Sequence, residues 1–395
     1  MQVLVLNSGS SSIKFQLFSM PEERILCSGL IERIGMNDAR FVYRTTDNSI
    51  ELETPILNHK KGLKLLSKQL LDSETGIIKS KEDIDIVGHR VVQGGALFDK
   101  TTQIDSTVKE QINELSSLAP LHNPANFEGI KVAETVFPNA KQAAIFDTAF
   151  HQTIPEHVFR YAIPETLFTK HKIRLYGFHG TSHKYVSEKA IEYLGKKQSK
   201  IITIHLGNGC SVTAIKDGKS IDHSMGLTPL NGLIMGTRSG DIDPAVIFHL
   251  SKNLNYSLRD IETLLLKESG MFGLTGYSDL RDILTKAERG DKSCQLALQM
   301  NAYRIKKYIG SYTAILNGLD AIVFTAGIGE NCDVMRKLVC KDLDFLGIEI
   351  DEDKNQIRTK TLHDISAKRA KVKTLVIPTN EELEIAKQAV ELFKN

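Results

Sequence analysis

The sequence predicts an α/β protein of two similar lobes, and three observations carry that expectation. In "LVLNSGSSSIKFQLF" (residues 4–18) a strand runs into a bend of Gly and Ser and leaves it as a strand again. The layout returns in "KIITIHLGNGCSVTAIKDGKSID" (200–222), again with a polar residue at the strand end followed by Gly and small neighbours. A third Gly-rich turn, "FTAGIGEN" (324–331), lies between a buried strand and a helix starting near Asn331. At 395 residues the chain is long enough for two to three domains, on a prior of about 150 residues each.

The first 20 residues read strand, turn, strand, because Leu4, Leu6, Phe15, Leu17 and Phe18 favour extended, buried chain around residues with almost no bulk. Extended runs at 25–34 and 41–43 continue a meander, and helical periodicity follows over 60–71. "IDIVGHRVVQGG" (84–95) is a short buried strand ending at His89 and Arg90, closed by Gly94 and Gly95. A helix over 124–135 precedes the buried strand in "QAAIFDTAFH" (142–151), which presents Asp147 at its C-terminal end. In "YGFHGTSHKY" (176–185), Thr181 or Ser182 serves as N-cap, with His179 in the preceding loop. After the second hairpin a Lys-Asp-Gly turn adds a further strand, and helical runs fill 244–267, 293–317 and 333–342. The chain closes with the strand "KTLVIP" and a helix capped by Thr379 or Asn380, with Glu381 and Glu382 in its first turn.

Composition narrows the function classes. Hydrophobic residues at 41% and charged residues at 25% exclude a mostly disordered chain, and a net charge of +2 gives no footprint for nucleic acid or a membrane surface. No run approaches the about 18 apolar residues a spanning helix needs, and the N-terminus starts a strand without a basic-then-apolar leader, so a cytoplasmic protein is expected. Five cysteines are an odd number without a CxxC pair, which suggests neither a disulfide framework nor a cysteine zinc site.

Glycine-rich bends bare successive backbone N–H groups, and such groups bind phosphate oxygens. Ser10, Ser11 and Ser12 add hydroxyls to the first bend and Lys14 adds a charge. The P-loop pattern GxxxxGK[ST] is absent, as is GxGxxG opening a helix. Three such turns at the ends of three strands nevertheless point to phosphate or nucleotide binding. His179 and His183, four apart, would share a helix face suited to zinc, but no Glu follows His179 and Gly180 interrupts the turn. Arg238 in "MGTRSGDIDP" either forms a surface ion pair beside a capped helix or clamps a phosphoryl group or carboxylate. Arg90 poses the same choice, between clamping a ligand and pairing with a buried acid.

Taken together, "NSGSSSIKF", "GHRVVQGG", "FDTAFHQTIP", "YGFHGTSHKYV", "HLGNGCSVTAIKDGKS", "SMGLTPLNGLIMGTRSGDIDP", "TAGIGEN" and "PTNEE" resemble the acetate kinase family, in the family's order and from end to end. The resemblance implies the actin-like ATPase and sugar kinase fold, two duplicated ribonuclease-H-like lobes closing on a nucleotide cleft. It divides the chain into 1–150, with 383–395 packing back on it, and 151–382. It implies ATP or ADP as co-substrate, acetate as acceptor, Mg2+ with Mn2+ as an alternative, and a homodimer. Carried over, it makes Arg90 the clamp for the substrate carboxylate, Asp147 an essential carboxylate, and His179 and Arg238 the stabilisers of the phosphoryl group. Asn7 and Glu381 match the metal positions, and Val92, Leu121, Phe178 and Pro229 the pocket for the methyl group. Ser12, Lys14 and His205, Leu206, Gly207, Asn208 and Gly209 match the phosphate hairpins. Asp279, Leu280 and Arg281 with Gly327, Ile328, Gly329, Glu330 and Asn331 match the nucleotide region.

The chain departs from the family pattern at Gln93, where His is usual, at Cys210, where a smaller residue is usual, and in "TGYSDLR", one residue shorter than usual around Asp279. A carboxylate acceptor is already ionised at neutral pH and needs no general base, so Asp147 reads as a positioning or metal-shell group. The rival within the same class is a propionate or butyrate kinase. From other classes come a non-catalytic nucleotide switch of actin type and a zinc hydrolase built on His179 and His183.

Overall fold

The computed structural model describes residues 1–120 and 122–394. The chain divides into two compact units, residues 1–150 with the chain end from 380, and residues 151–379.

In the first unit β1 (Gln2–Ser8), β2 (Ile13–Ser19), β3 (Arg24–Glu32), β4 (Arg40–Arg44) and β5 (Ser49–Glu53) form an antiparallel meander. Strand β6 (Ile86–Val91) pairs parallel with β1; after the two-residue β7 (Thr102–Gln103), β8 (Lys141–Phe146) pairs parallel with β6. The sheet order is β5-β4-β3-β2-β1-β6-β8-β7. Val3, Leu4, Val5 and Leu6 are all buried, which marks β1 as a central strand covered on both faces. The predicted meander is present and is one strand longer than expected: β5, with four of its five residues exposed, alternates polar and apolar as Ser-Ile-Glu-Leu-Glu.

The second unit repeats the plan. Strands β9 (Lys200–Leu206), β10 (Cys210–Lys216) and β11 (Lys219–His223) form the meander. Strand β12 (Ala321–Thr325) pairs parallel with β9, and past β13 (His363–Asp364) strand β14 (Lys373–Val376) pairs parallel with β12. Five strands in each sheet therefore run in one order, β3-β2-β1-β6-β8 and β11-β10-β9-β12-β14, with the same directions. The α/β class and the duplicated lobe topology expected from the two hairpins are what the chain adopts.

Three helical expectations need correction. The run over 244–267 is two helices, Ala245–Leu254 and Leu258–Lys267, because Asn255 turns left-handed at φ 57° and Ser257 opens a new capping box with Asp260. The helix after β12 starts at Ala326 rather than near Asn331, entered through Ala326 at φ 64°. The helix Gly180–Leu194 is not capped by Thr181 or Ser182; His179 itself occupies the cap position at φ 56°, and both hydroxyl residues are buried inside the first turn. Of the two caps considered for Glu381–Phe393, Asn380 is the one used, accepting from the Leu383 N–H at 3.0 Å.

Glycines set two close approaches that place functional groups. A Cβ on Gly88 of β6 would lie 2.9 Å from Ile385, so Gly88 lets the C-terminal helix settle onto the sheet. A Cβ on Gly129 would lie 2.4 Å from Ser8 Oγ, so Gly129 lets the helix Asn123–Val136 reach the end of β1. All five cysteines are free and buried. Among the described residues no helix is long and apolar enough to cross a membrane.

Candidate active site

In the first unit the strand ends converge on Arg90. Asn7 and Lys14 face each other across the β1–β2 pair, and the turn between them closes with the Gly9 N–H donating to Ser12 O at 2.8 Å. Arg90, near the end of β6, donates from Nε to both oxygens of Asp147 at 3.2 and 3.0 Å and from Nη2 to Oδ2 at 2.6 Å. Asp147 follows β8 directly and is 1% exposed. Arg90 Nη1 reaches Asn7 Oδ1 at 3.4 Å, and Glu381 Oε2 lies 3.9 Å from Arg90 Nε. Of the two roles open to Arg90, pairing with a buried acid is observed, and the side chain remains 21% exposed.

The charges in this cluster condition one another. Burial opposes the charge on Arg90, but Asp147 and Glu381 outweigh it and its pKa is raised. Burial raises the pKa of Glu381, Asp147 and Glu382 add to the rise, and Arg90 and Lys14 oppose it. A carboxyl crowded by other carboxylates is a seat that a hard divalent cation suits, and the amide oxygen of Asn7 is a second donor of the same kind. Val92 is buried, its N–H donating to Asn126 Oδ1 at 3.1 Å, while Asn126 Nδ2 donates to Ser8 O at 2.7 Å. Gln93 is fully buried; its Oε1 accepts from the Gly95 N–H, and among the described residues its Nε2 has no partner. Leu121 lies outside the described residues.

In the second unit the hairpin 207–209 lies beside His179 and Arg238. A Cβ on Gly209 would sit 3.4 Å from His179 Nε2 and 3.7 Å from Arg238 Nη1, so a histidine edge and a guanidinium flank one bare stretch of backbone. Among the described residues Arg238 has no acidic partner: Nη1 donates to Pro229 O at 2.9 Å, and burial lowers its pKa. The surface ion pair considered for it is not formed, because Asp241 accepts from the Gly232 N–H and from Tyr308 Oη, and Asp243 from the Ala245 N–H. His179 stacks on His205 with centroids 4.2 Å apart. Its positive φ is a strained state for a side chain of this size, of the kind that clusters at functional sites.

The same hairpin opens one wall of a cavity of about 690 Å³ within this unit. Leu206, Gly207 and Asn208 line it, as do Asp279, Leu280 and Arg281, and Gly327, Ile328 and Asn331. Gly236 approaches Asn208 closely here: a Cβ would come within 2.1 Å of Asn208 Oδ1, so the Asn208 side chain would have to shift. Asp279 caps the helix Leu280–Glu288 and pairs with Arg281, whose hydrogen bond holds its pKa down to about 2. Two residues of the third turn serve the scaffold instead: Gly329 packs on the backbone of Phe324, and Glu330 Oε1 accepts from the Thr379 N–H at 3.0 Å. Phe178 is buried and Pro229 is partly buried in this unit.

Sequence reading missed Arg336. It is 2% exposed, donates to Gly329 O and Glu330 O at 2.9 Å, and also holds Asn355. It thereby caps the third turn's carbonyls, and a lone Arg in "CDVMRK" gave no signal of that. The zinc reading of His179 and His183 meets a different arrangement: His179 Nδ1 and His183 Nε2 both contact Ser211 Oγ, at 2.9 and 2.7 Å.

A glycine hairpin flanked by a histidine edge and a guanidinium suits the handling of a phosphoryl group, and the class that fold and site define is a phosphotransferase. The chain belongs to the acetokinase family, whose model matches residues 2–387. It is 62% identical to an acetate kinase of Flavobacterium johnsoniae and 52% identical to one of Thermotoga maritima, covering 100% of the chain and at least 99% of each relative. Among solved structures, the Porphyromonas gingivalis acetate kinase superposes with a TM-score of 0.95 at 44% identity, covering 100% of both chains. A propionate kinase from Francisella tularensis superposes with a TM-score of 0.92, also at 44% identity, covering 99% of both.

Proposed function

We infer that the chain is an acetate kinase, transferring the γ-phosphoryl group of ATP reversibly to acetate by direct in-line displacement, with acetyl phosphate and ADP as products. The observation that carries this reading is the full-length likeness, at 62% identity, to a curated acetate kinase. An acetate oxygen attacks the γ-phosphorus as the bond to the β-phosphate oxygen breaks, and ADP leaves with the electron pair. The nucleophile is already an anion, so the enzyme's task is to bring two anions into line and spread their charge.

In this reading Arg90, its plane held by Asp147, orients the acetate carboxylate. We assign Val92, Leu121, Phe178 and Pro229 to recognition of the methyl group. His179 and Arg238, flanking Gly209, donate to the equatorial oxygens of the phosphoryl group. Lys14, Ser12 and the hairpin from His205 to Gly209 hold phosphates, and the cavity lined by Asp279, Leu280, Arg281, Gly327, Ile328 and Asn331 takes the nucleoside. Gly329 and Glu330 support that wall from behind. Asn7 and Glu381 would hold Mg2+, or Mn2+ in its place, which supplies further neutralisation of the phosphates.

Two further assignments accompany the activity. The helix Ala245–Leu254 has no buried residue although it is rich in Val, Ile, Phe and Leu, and Phe248, Leu254 and Leu258 are 60, 54 and 74% exposed. We assign this face to a homodimer contact. We place the enzyme in the cytoplasm.

Trapping acyl phosphate with hydroxylamine, with ATP and Mg2+ present, across formate, acetate, propionate and butyrate tests the assignment. Turnover is expected to peak at acetate with propionate as a side substrate, because one methylene changes binding by only about 1–3 kcal/mol. A peak at propionate or butyrate would give the enzyme a different substrate, and nucleotide binding without any acid-dependent product would favour a nucleotide switch.

A further inference from the structure

We propose that Ser211, His183 and Thr203 are positioning residues that fix the ring of His179 as the tautomer carrying its hydrogen on Nε2. The proposal rests on the reading of His179 as a donor to the phosphoryl group in flight.

The observation is a single file of hydrogen bonds ending at His179. Thr203 Oγ1 lies 2.7 Å from His183 Nδ1, His183 Nε2 lies 2.7 Å from Ser211 Oγ, and Ser211 Oγ lies 2.9 Å from His179 Nδ1. Thr203, His183 and Ser211 are all 0% exposed. Such a file can run in two directions. Toward His179, the Thr203 hydroxyl donates to His183 Nδ1, His183 Nε2–H donates to Ser211, and the Ser211 hydroxyl donates to His179 Nδ1. Away from it, His179 Nδ1–H donates to Ser211, Ser211 to His183 Nε2, and His183 Nδ1–H to Thr203.

The two directions differ at Thr203. Among the described residues His183 Nδ1 is the one hydrogen-bond partner of Thr203 Oγ1. In the outward direction the Thr203 hydroxyl hydrogen is left without an acceptor in a buried site, a costly omission. In the direction toward His179 every hydrogen of the file is used. Both directions need a neutral His183, and burial, with His151 and His205 adding to it, lowers its pKa well below the ordinary value. With Nδ1 engaged as an acceptor, a neutral His179 ring carries its hydrogen on Nε2. That is the edge that sits beside Gly209 together with Arg238.

The residue before His179 is fixed in the same manner. The Phe178 N–H donates to His223 Nε2 at 3.1 Å, and the Phe178 carbonyl accepts from His151 Nε2 at 3.0 Å. The second histidine of "YGFHGTSH", which matches no zinc site, thus has a role in presenting the first.

Histidine-selective 15N labelling and long-range 1H–15N spectra of the whole enzyme read the His179 tautomer directly, alongside kcat and KM. Wild type is expected to show His179 protonated on Nε2. Ser211→Ala and Thr203→Val should lose that preference and lower kcat about 10- to 100-fold, the scale for partners that orient a functional histidine, with KM for both substrates nearly unchanged. Thr203→Ser keeps the hydroxyl and should restore both the spectrum and kcat. A wild-type tautomer and kcat in Ser211→Ala and Thr203→Val, with His179→Ala inactive, would overturn the proposal and leave the role of His179 standing. Near-normal turnover in His179→Ala would overturn that role itself.

Discussion

At the scale of single residues, the account turns on cations and on what neutralises them. Arg90 spends three hydrogen bonds on Asp147, so the pair acts as one oriented unit. Asp147→Asn keeps the shape but removes the countercharge, and turnover is expected to fall about 100-fold or more, with a loss of stability of about 3 kcal/mol; near-normal turnover would remove Asp147 from the site's working parts. Arg90→Lys should raise KM for the acid at least about tenfold, because an ammonium cannot present a fork to a carboxylate. Arg90 was legible in the sequence because it stands near the end of a buried strand close to Gly94 and Gly95, and Asp147 because it directly follows a second buried strand. Arg336 was not legible, since its value comes from four acceptors brought to it by the fold: Gly329 O, Glu330 O, and Asn355 O and Oδ1. Arg336→Ala leaves those groups unpaired and should cost about 3–5 kcal/mol in a urea titration.

At the scale of elements, the hairpins were read correctly because a Gly-rich bend between apolar strands has one physical meaning at both positions. Strand β5 escaped although Ile50 and Leu52 alternate with Ser49, Glu51 and Glu53, because a period of two over only five residues is a weak signal. The helix start at His179 escaped because the hydroxyls of Thr181 and Ser182 imitate a cap while being needed inside, where Ser182 Oγ meets His205 Nδ1 and Thr379 Oγ1. The bare hairpin yields a prediction of its own. A methyl at position 209 meets only ordinary contacts, at 3.4 Å and beyond, so Gly209→Ala should fold normally. It should nonetheless weaken ATP binding, measurable by calorimetry, since the methyl occupies the space beside His179 and Arg238.

At the scale of the whole molecule, buried histidines set the response to acid. Burial lowers the pKa of His89 and His151 from 6.5 to about 4, and His183 and His223 lie well below 6.5 for the same reason. In this window the unfolded chain binds more protons than the folded one, so stability present above pH 6.5 is lost as pH falls toward about 4. At pH 5 His89 and His151 should each cost about 2 kcal/mol. Asp222, raised to about 6 by burial, and Glu381 act in the opposite sense, but four histidines outnumber them. The urea midpoint should therefore fall from pH 7.5 to pH 5. Phe248→Glu on the exposed apolar helix should shift the particle mass in light scattering from dimer to monomer; a monomeric wild type would remove that face from the account.

The central claim is that catalysis here is charge neutralisation over the hairpin at Gly209, and the steady-state kinetics of Arg238→Ala test it most directly. The account predicts a fall in kcat of about 100- to 1000-fold, the scale for removing one donor to a developing charge, with KM for acetate changed far less. A variant that keeps wild-type kcat would contradict it.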